Sequence, residues 1–174
     1  MHVLVATDGE METEAAASFA ATLAGADGRV TVLTVVEVPR VFLEDMRSHF
    51  GTDDGPSVVA DYTYVETPKA HQEGPTGWPG DDALIDRYLG DKLQQNTAPL
   101  VRALKDRGIE TDARVVESEN VAPTIIEQLV ALDAEVVVIG SHGQGLFQGL
   151  LGSTGTKIVR RSPRPVLLIR SATP

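Results

Sequence analysis

Five short apolar runs punctuate the chain, at Val3–Ala6, Val30–Val36, Thr111–Val116, Glu135–Ile139 and Val166–Ile169. Continuous runs of this length, rich in β-branched residues, predict strands buried on both faces of a parallel sheet. The run Thr111–Val116 alternates more than the others, which predicts a place toward an edge. Between the strands the spacing turns helical. Glu10–Ala24 is alanine-rich with acidic residues in its first turns, and Gly25 and Gly28 close it. Leu84, Ile85, Tyr88, Leu89, Leu93, Leu100, Val101 and Leu104 make an apolar stripe through Asp82–Arg107. Pro99 inside that span predicts a kink or a break, and Arg107-Gly108 a C-terminal cap. Asn120 is expected to cap a helix from Val121 to about Leu132, and Ser153 one reaching about Arg161.

This alternation predicts a five-stranded, doubly wound parallel α/β sheet in one domain spanning residues 1–174. One stretch does not fit the alternation. From about Glu37 to Asp82 the chain is rich in turn signals, among them Asp53-Asp54-Gly55-Pro56 and Gly74-Pro75-Thr76-Gly77. It reads as a long insertion between the second strand and the second helix: a surface excursion, a lid or an oligomer contact.

Composition narrows the function. With 174 residues, 42% of them hydrophobic and 23% charged, the chain can bury a real core. No apolar run approaches a membrane span, and no basic n-region precedes Val3-Leu4-Val5. There are no cysteines, which removes disulfides, thiolate metal sites and thiol catalysis and fits a cytoplasmic protein. The net charge of −10 argues against nucleic-acid binding through a general basic field. Lysine is confined to Lys69, Lys92, Lys105 and Lys157, and an acidic, lysine-poor surface suits a high-salt cytoplasm.

Candidate chemistry concentrates after the fourth strand. Gly140, Gly143, Gly145, Gly149 and Gly152 lead to Ser153-Thr154 at a helix start. Glycines let a backbone approach a phosphate, and a helix start supplies free N–H groups and a favourable dipole. The loop lacks the Gly-Lys-Ser/Thr close of a Walker A motif and the spacing of a dinucleotide fingerprint. It reads either as a phosphate cradle or as a connector that lets the next helix pack closely. In doubly wound sheets ligands bind beyond the C-terminal strand ends where the strand order reverses. That rule brings the Thr7-Asp8-Gly9 turn beside the glycine loop. Asp8 is then a ligand contact or a turn residue capping the first helix.

Taken together, Gly140-Ser-His-Gly143, Gly152-Ser153 and Arg164-Pro165-Val166-Leu-Leu-Ile169 resemble the C-terminal signature of the universal stress protein family. Val3-Leu4-Val5-Ala6-Thr7-Asp8-Gly9 resembles that family's first strand and turn. The resemblance implies a Rossmann-like fold of the adenine nucleotide α-hydrolase type, with strand order 3-2-1-4-5. It implies an adenine nucleotide, ATP or AMP with Mg²⁺, held as part of a stress-response sensor or switch with at most slow hydrolysis. The implied contacts are Ala6, Thr7, Asp8, Val35, Gly140, His142, Gly143, Gly152, Ser153 and Thr154. Asp8 would meet the nucleoside or a Mg²⁺ ion, Val35 the adenine through its backbone, and the amides of Gly143, Gly152, Ser153 and Thr154 the phosphates. The nucleotide-binding branch carries Gly-x2-Gly-x9-Gly-Ser/Thr, whereas eight residues separate Gly143 from Gly152 here. The alternative is therefore a homodimeric interaction module of the same fold without nucleotide. Homodimerisation is expected through the last strand, Val166–Ile169, whose open apolar edge a second copy would cover.

The remaining polar residues offer less. His142 is a nucleotide contact or an exposed loop histidine, and His2, His49 and His71 form no ligand set. Lys157, Arg160, Arg161 and Arg164 make a basic cluster that either offsets phosphate charge or complements a helix C-terminus. A phospho-acceptor role for Asp8 would need a further acidic pair and a lysine after the last strand. A Ser-His-Asp arrangement is likewise absent.

Overall fold

The structure is a computed structural model, described here for residues 1–38, 63–64, 81–141 and 152–170, with side chains of the second helix from residue 85 onward. The elements in order are β1 (His2–Ala6), α1 (Thr13–Ala24), β2 (Arg29–Val36), β3 (Thr63–Tyr64), α2 (Asp81–Asp106), β4 (Glu110–Glu117), α3 (Val121–Ala131), β5 (Val136–Ser141), α4 (Ser153–Arg161) and β6 (Val166–Arg170). All strand pairs are parallel, in the order β3-β4-β2-β1-β5-β6. The five strands expected from the apolar runs are β1, β2, β4, β5 and β6, and they stand in the order 3-2-1-4-5.

The sixth strand is an addition. Thr63 and Tyr64, from within the turn-rich excursion, pair with Arg114 and Val115 of β4. β4 is therefore near the edge, as its alternation predicts, but covered at one point. Its other side pairs with β2 along the whole length from Glu110 to Glu117.

The central strands are buried because helices cover both faces. Val3, Val5, Val30, Val32, Val136 and Val138 face α1 and α2, where Ala16, Ala17, Ala20, Leu100 and Leu104 complete one core. Leu4, Ala6, Leu33, Val137 and Ile139 face α3 and α4, against Ala122, Ile125, Leu129 and Ile158. Each large side chain so buried contributes about 1.5–3 kcal/mol, so the two cores fix the sheet between its helix layers. A third cluster, Val36, Val115, Leu89 and Leu93, seats the first half of α2 on β2 and β4.

Helix ends differ from expectation in informative ways. α1 begins at Thr13, and Glu12 caps it: its two carboxylate oxygens accept from the amides of Glu14 (3.1 Å) and Ala15 (2.6 Å). Asp8 does not cap this helix. α2 runs unbroken through Pro99, which lies on the exposed face, while Thr97, Leu100 and Leu104 anchor the buried face. A proline there removes one N–H without forcing its ring into the core. α2 ends as expected at Gly108, whose φ of +74° suits glycine. The amides of Gly108 and Ile109 close onto the carbonyls of Lys105 (2.9 Å) and Leu104 (3.1 Å), the bonding pattern of a Schellman cap. Asn120 occupies the N-cap of α3 but makes no side-chain capping bond. At α4 the cap is Gly152, and Ser153 is the first helical residue.

Candidate functional site

The strand order reverses between β1 and β5, and a cavity of about 370 Å³ opens there at the C-terminal edge of the sheet. Pockets of this size hold small organic ligands. From β1 and the turn after it come Ala6, Thr7 and Asp8; from β2 come Leu33 and Val35; from β5, Ile139 and Gly140. α3 contributes Val121 and Ile125. The start of α4 contributes Gly152, Ser153, Thr154, Gly155 and Ile158.

Eight of the ten residues singled out in the sequence thus line one space: Ala6, Thr7, Asp8, Val35, Gly140, Gly152, Ser153 and Thr154. His142 and Gly143 lie outside the described residues, as does most of the glycine-rich loop. The reading from sequence missed the apolar floor: Leu33, Val121, Ile125, Ile139 and Ile158. Their pattern was visible, since Val121 and Ile125 sit one helical turn apart, as do Thr154 and Ile158. Nothing in a pattern separates an apolar side chain facing a cavity from one facing the core.

The first strand delivers Asp8 in a fixed turn. The amide of Thr7 donates to the Leu33 carbonyl at 2.9 Å, carrying the β1–β2 contact one residue past the strand. The Thr7 hydroxyl accepts from the Gly9 amide at 3.0 Å, and Asp8 Oδ1 from the Glu10 amide at 3.1 Å. These short side-chain-to-backbone bonds are how Thr and Asp build turns. Asp8 is the one titratable side chain among the described residues that line the cavity.

The opposite wall is the start of α4. Among the described residues no side chain caps it, and its first helical bond runs from the Thr156 amide to the Gly152 carbonyl at 2.9 Å. The amides of Ser153, Thr154 and Gly155 precede that bond, so they have no partner within the helix. They supply donors and the positive end of a dipole beside the cavity. The arrangement suits a flat apolar group against the floor, a polar group at Asp8 and an anionic group at α4.

The basic cluster stands apart. Neither Lys157, Arg160, Arg161 nor Arg164 lines the cavity. Arg160 and Arg161 fall in the last turn of α4, and Arg164 donates to Asp133 Oδ1 at 2.9 Å. Helix-end complementarity accounts for the first two.

Comparison with known proteins settles the family. The model of the universal stress protein family matches residues 1–170. The chain belongs to the universal stress protein family. A universal stress protein of Mycobacterium tuberculosis is 33% identical over 172 residues, covering 97% of this chain and 48% of the relative. The chain spans about half the length of the curated relatives it matches first. Among solved structures, a hypothetical protein whose biochemical function was assigned from its structure has a TM-score of 0.62 at 17% identity, with 99% of this chain and 97% of that chain covered. A universal stress protein in complex with cAMP has a TM-score of 0.52 at 18% identity, with 99% and 98% covered. At these identities the likeness is one of fold. No helix among the described residues of this universal stress protein is long and apolar enough to cross a membrane.

Proposed function

We propose that this universal stress protein domain binds an adenine nucleotide, ATP or AMP, between β1 and β5 and acts as a stress-response switch in the cytoplasm. One observation carries the reading: the Asp8 turn and the start of α4, which no side chain among the described residues caps, face each other across a cavity of about 370 Å³ with an apolar floor. The base would lie on the floor beside Val35, Leu33 and Ile125. A ribose hydroxyl or a Mg²⁺ ion would be the partner of Asp8, because a carboxylate repels bare phosphate. The amides of Ser153, Thr154 and Gly155 would take phosphate oxygens. That a structural neighbour is a universal stress protein in complex with cAMP supports the same ligand class. Asp8 is the one titratable side chain among the described residues that line the cavity, and at most slow hydrolysis belongs to the same reading.

Calorimetric titration with ATP and with AMP, each with and without Mg²⁺, tests the reading. Saturable heat at micromolar to millimolar nucleotide is expected, and silence at millimolar concentration of both would sink it.

A second reading is a homodimeric interaction module without nucleotide. It is favoured by β6, the last strand of the sheet, whose Leu168 is 38% exposed. Pairing β6 with its copy across a two-fold axis would cover that edge. The eight-residue spacing from Gly143 to Gly152 favours the same reading. Dimerisation is compatible with the first reading; loss of nucleotide affinity is not.

A further inference from the structure

We propose that Asn96, on the face of the sheet opposite the cavity, is a positioning residue that holds the Asp8 turn in place; its functional meaning rests on the nucleotide reading above. Asn96 sits in the second half of α2, where no part of it lines the cavity. Two features tie it to the site. Its Nδ2 donates to the Thr34 hydroxyl at 2.9 Å. Thr34 is fully buried in β2, between Leu33 and Val35, whose side chains line the cavity from the other face. The amide of Asn96 is thereby locked to the strand beneath the site.

The second feature is its contact with Gly9, the residue after Asp8. Gly9 has φ of +94°, a region that side-chain-bearing residues seldom enter. A β-carbon built on Gly9 would lie 3.1 Å from Asn96 Oδ1 and 3.3 Å from Asn96 Cα. So Asn96, by both its side chain and its backbone, leaves no room for a side chain at Gly9. The space remaining between α2 and the turn, bounded by Thr7, Gly9, Asn96 and Pro99, is only about 10 Å³. That is no more than one water needs, so the fit is close.

The consequence is a clamp with three points. The Thr7 amide fixes the start of the turn to the Leu33 carbonyl at 2.9 Å. The Glu10 amide fixes the Asp8 carboxylate from within at 3.1 Å. Asn96 closes the back of the turn at Gly9, and its own position is set by Thr34. Removing Asn96 leaves the turn free to recede into the vacated volume and draw Asp8 away from the cavity. Sequence offers no hint of this, because Asn96 stands in the polar run Gln94-Gln95-Asn96-Thr97 and nothing local marks it out.

The test pairs a ligand-free readout with a binding readout. In Asn96→Ala, amide hydrogen exchange at Gly9 and Glu10 should accelerate about tenfold, while Val3–Ala6 stay as protected as in the parent. Affinity for ATP·Mg²⁺ should fall about tenfold, and in an Asp8→Asn background the same change should cost less than twofold, because contacting residues couple. Thr34→Val, which keeps the buried volume and deletes the anchoring hydroxyl, should show both effects at smaller size and serves if Asn96→Ala does not fold. Unchanged exchange at Gly9 and Glu10 in both variants overturns the clamp. Accelerated exchange with additive affinity losses overturns the link to Asp8. If the parent protein binds no nucleotide, the functional reading fails by itself and the exchange data still decide the clamp.

Discussion

Ala6 and Ile139 stand opposite one another across the β1–β5 pair, and both reach the floor of the cavity. Their backbones are in register at the point where the strand order reverses, so the floor is as rigid as the sheet itself. Ala6 is small there and 7% exposed, which leaves open the space a flat ligand would fill. Ala6→Leu should place an isobutyl group in that space. Nucleotide affinity should drop at least 30-fold, with a stability change of only about 1 kcal/mol because the side chain enters a void and not a packed core. Calorimetry and thermal melting on the same samples separate the two effects. A large loss of melting temperature with intact affinity would place the ligand elsewhere.

The start of α4 permits a sharper test of backbone donors. Gly152 has φ −57° and ψ 167°, a conformation compatible with a following proline. Position 153 is the first helical residue, where proline is well tolerated and its missing N–H breaks no helical bond. Ser153→Pro should therefore fold normally and weaken phosphate binding about tenfold through the loss of one amide. Ser153→Ala, which keeps the amide and loses the hydroxyl, should weaken it less than Ser153→Pro does. The reverse order would show that the hydroxyl is the principal contact.

At the other end of the strands, His2 is buried in a network of its own. Its Nδ1 lies 3.1 Å from the Leu132 carbonyl, which can only accept, so Nδ1 carries the proton of the neutral ring. Its Nε2 lies 2.9 Å from the Thr31 hydroxyl oxygen, which also lies 2.7 Å from Asp112 Oδ1. Burial first, then Arg29, pull the His2 imidazole below its ordinary value of 6.5; Asp112 and the Leu132 carbonyl push the other way. A base with a lowered folded pKa binds its proton more readily when unfolded. Its contribution to stability is complete above the unfolded value and is lost as pH falls from about 6.5 through the lower folded value. NMR titration should find Asp112→Asn lowering the His2 pKa further and Arg29→Gln raising it. A His2 pKa above 6.5 in the parent would reverse the sign of this dependence.

The edge at β6 predicts an assembly. Leu168 is exposed on a strand that ends the sheet, and a lysine there places charge on a surface that edge pairing must bury. Leu168→Lys should convert a dimer of the parent to monomer in light scattering at micromolar concentration, with nucleotide affinity unchanged. A parent protein that is already monomeric would remove the basis for β6 pairing.

How much of this was legible depended on range. Val3–Ala6 and Val136–Ile139 announced central strands because every residue in them is apolar, and a strand covered on both faces needs that. The facing positions of Asp8 and Ser153 followed from topology, since a doubly wound sheet places the ends of its central strands side by side. Thr63-Tyr64 could not be read, because a two-residue strand has no period and exists only through its pairing with Arg114 and Val115. Glu12 was missed as a cap because glutamate rarely holds that role, and here both its oxygens reach back to the helix. Asn96 stands among the polar residues Gln94–Thr97 with nothing local to mark it, and its partner Thr34 lies 62 positions away.

Two helix starts near the Asp8 turn differ in one respect that gives the cavity a direction. Glu12 already brings a negative charge to the first amides of α1, so that end repels a second anion. α4 begins at a glycine and brings no charge of its own. The cavity itself has Asp8 on one side and the amides of Ser153–Gly155 on the other. A ligand with one anionic end would therefore lie with that end toward α4, its orientation set by one carboxylate and one helix start on opposite walls.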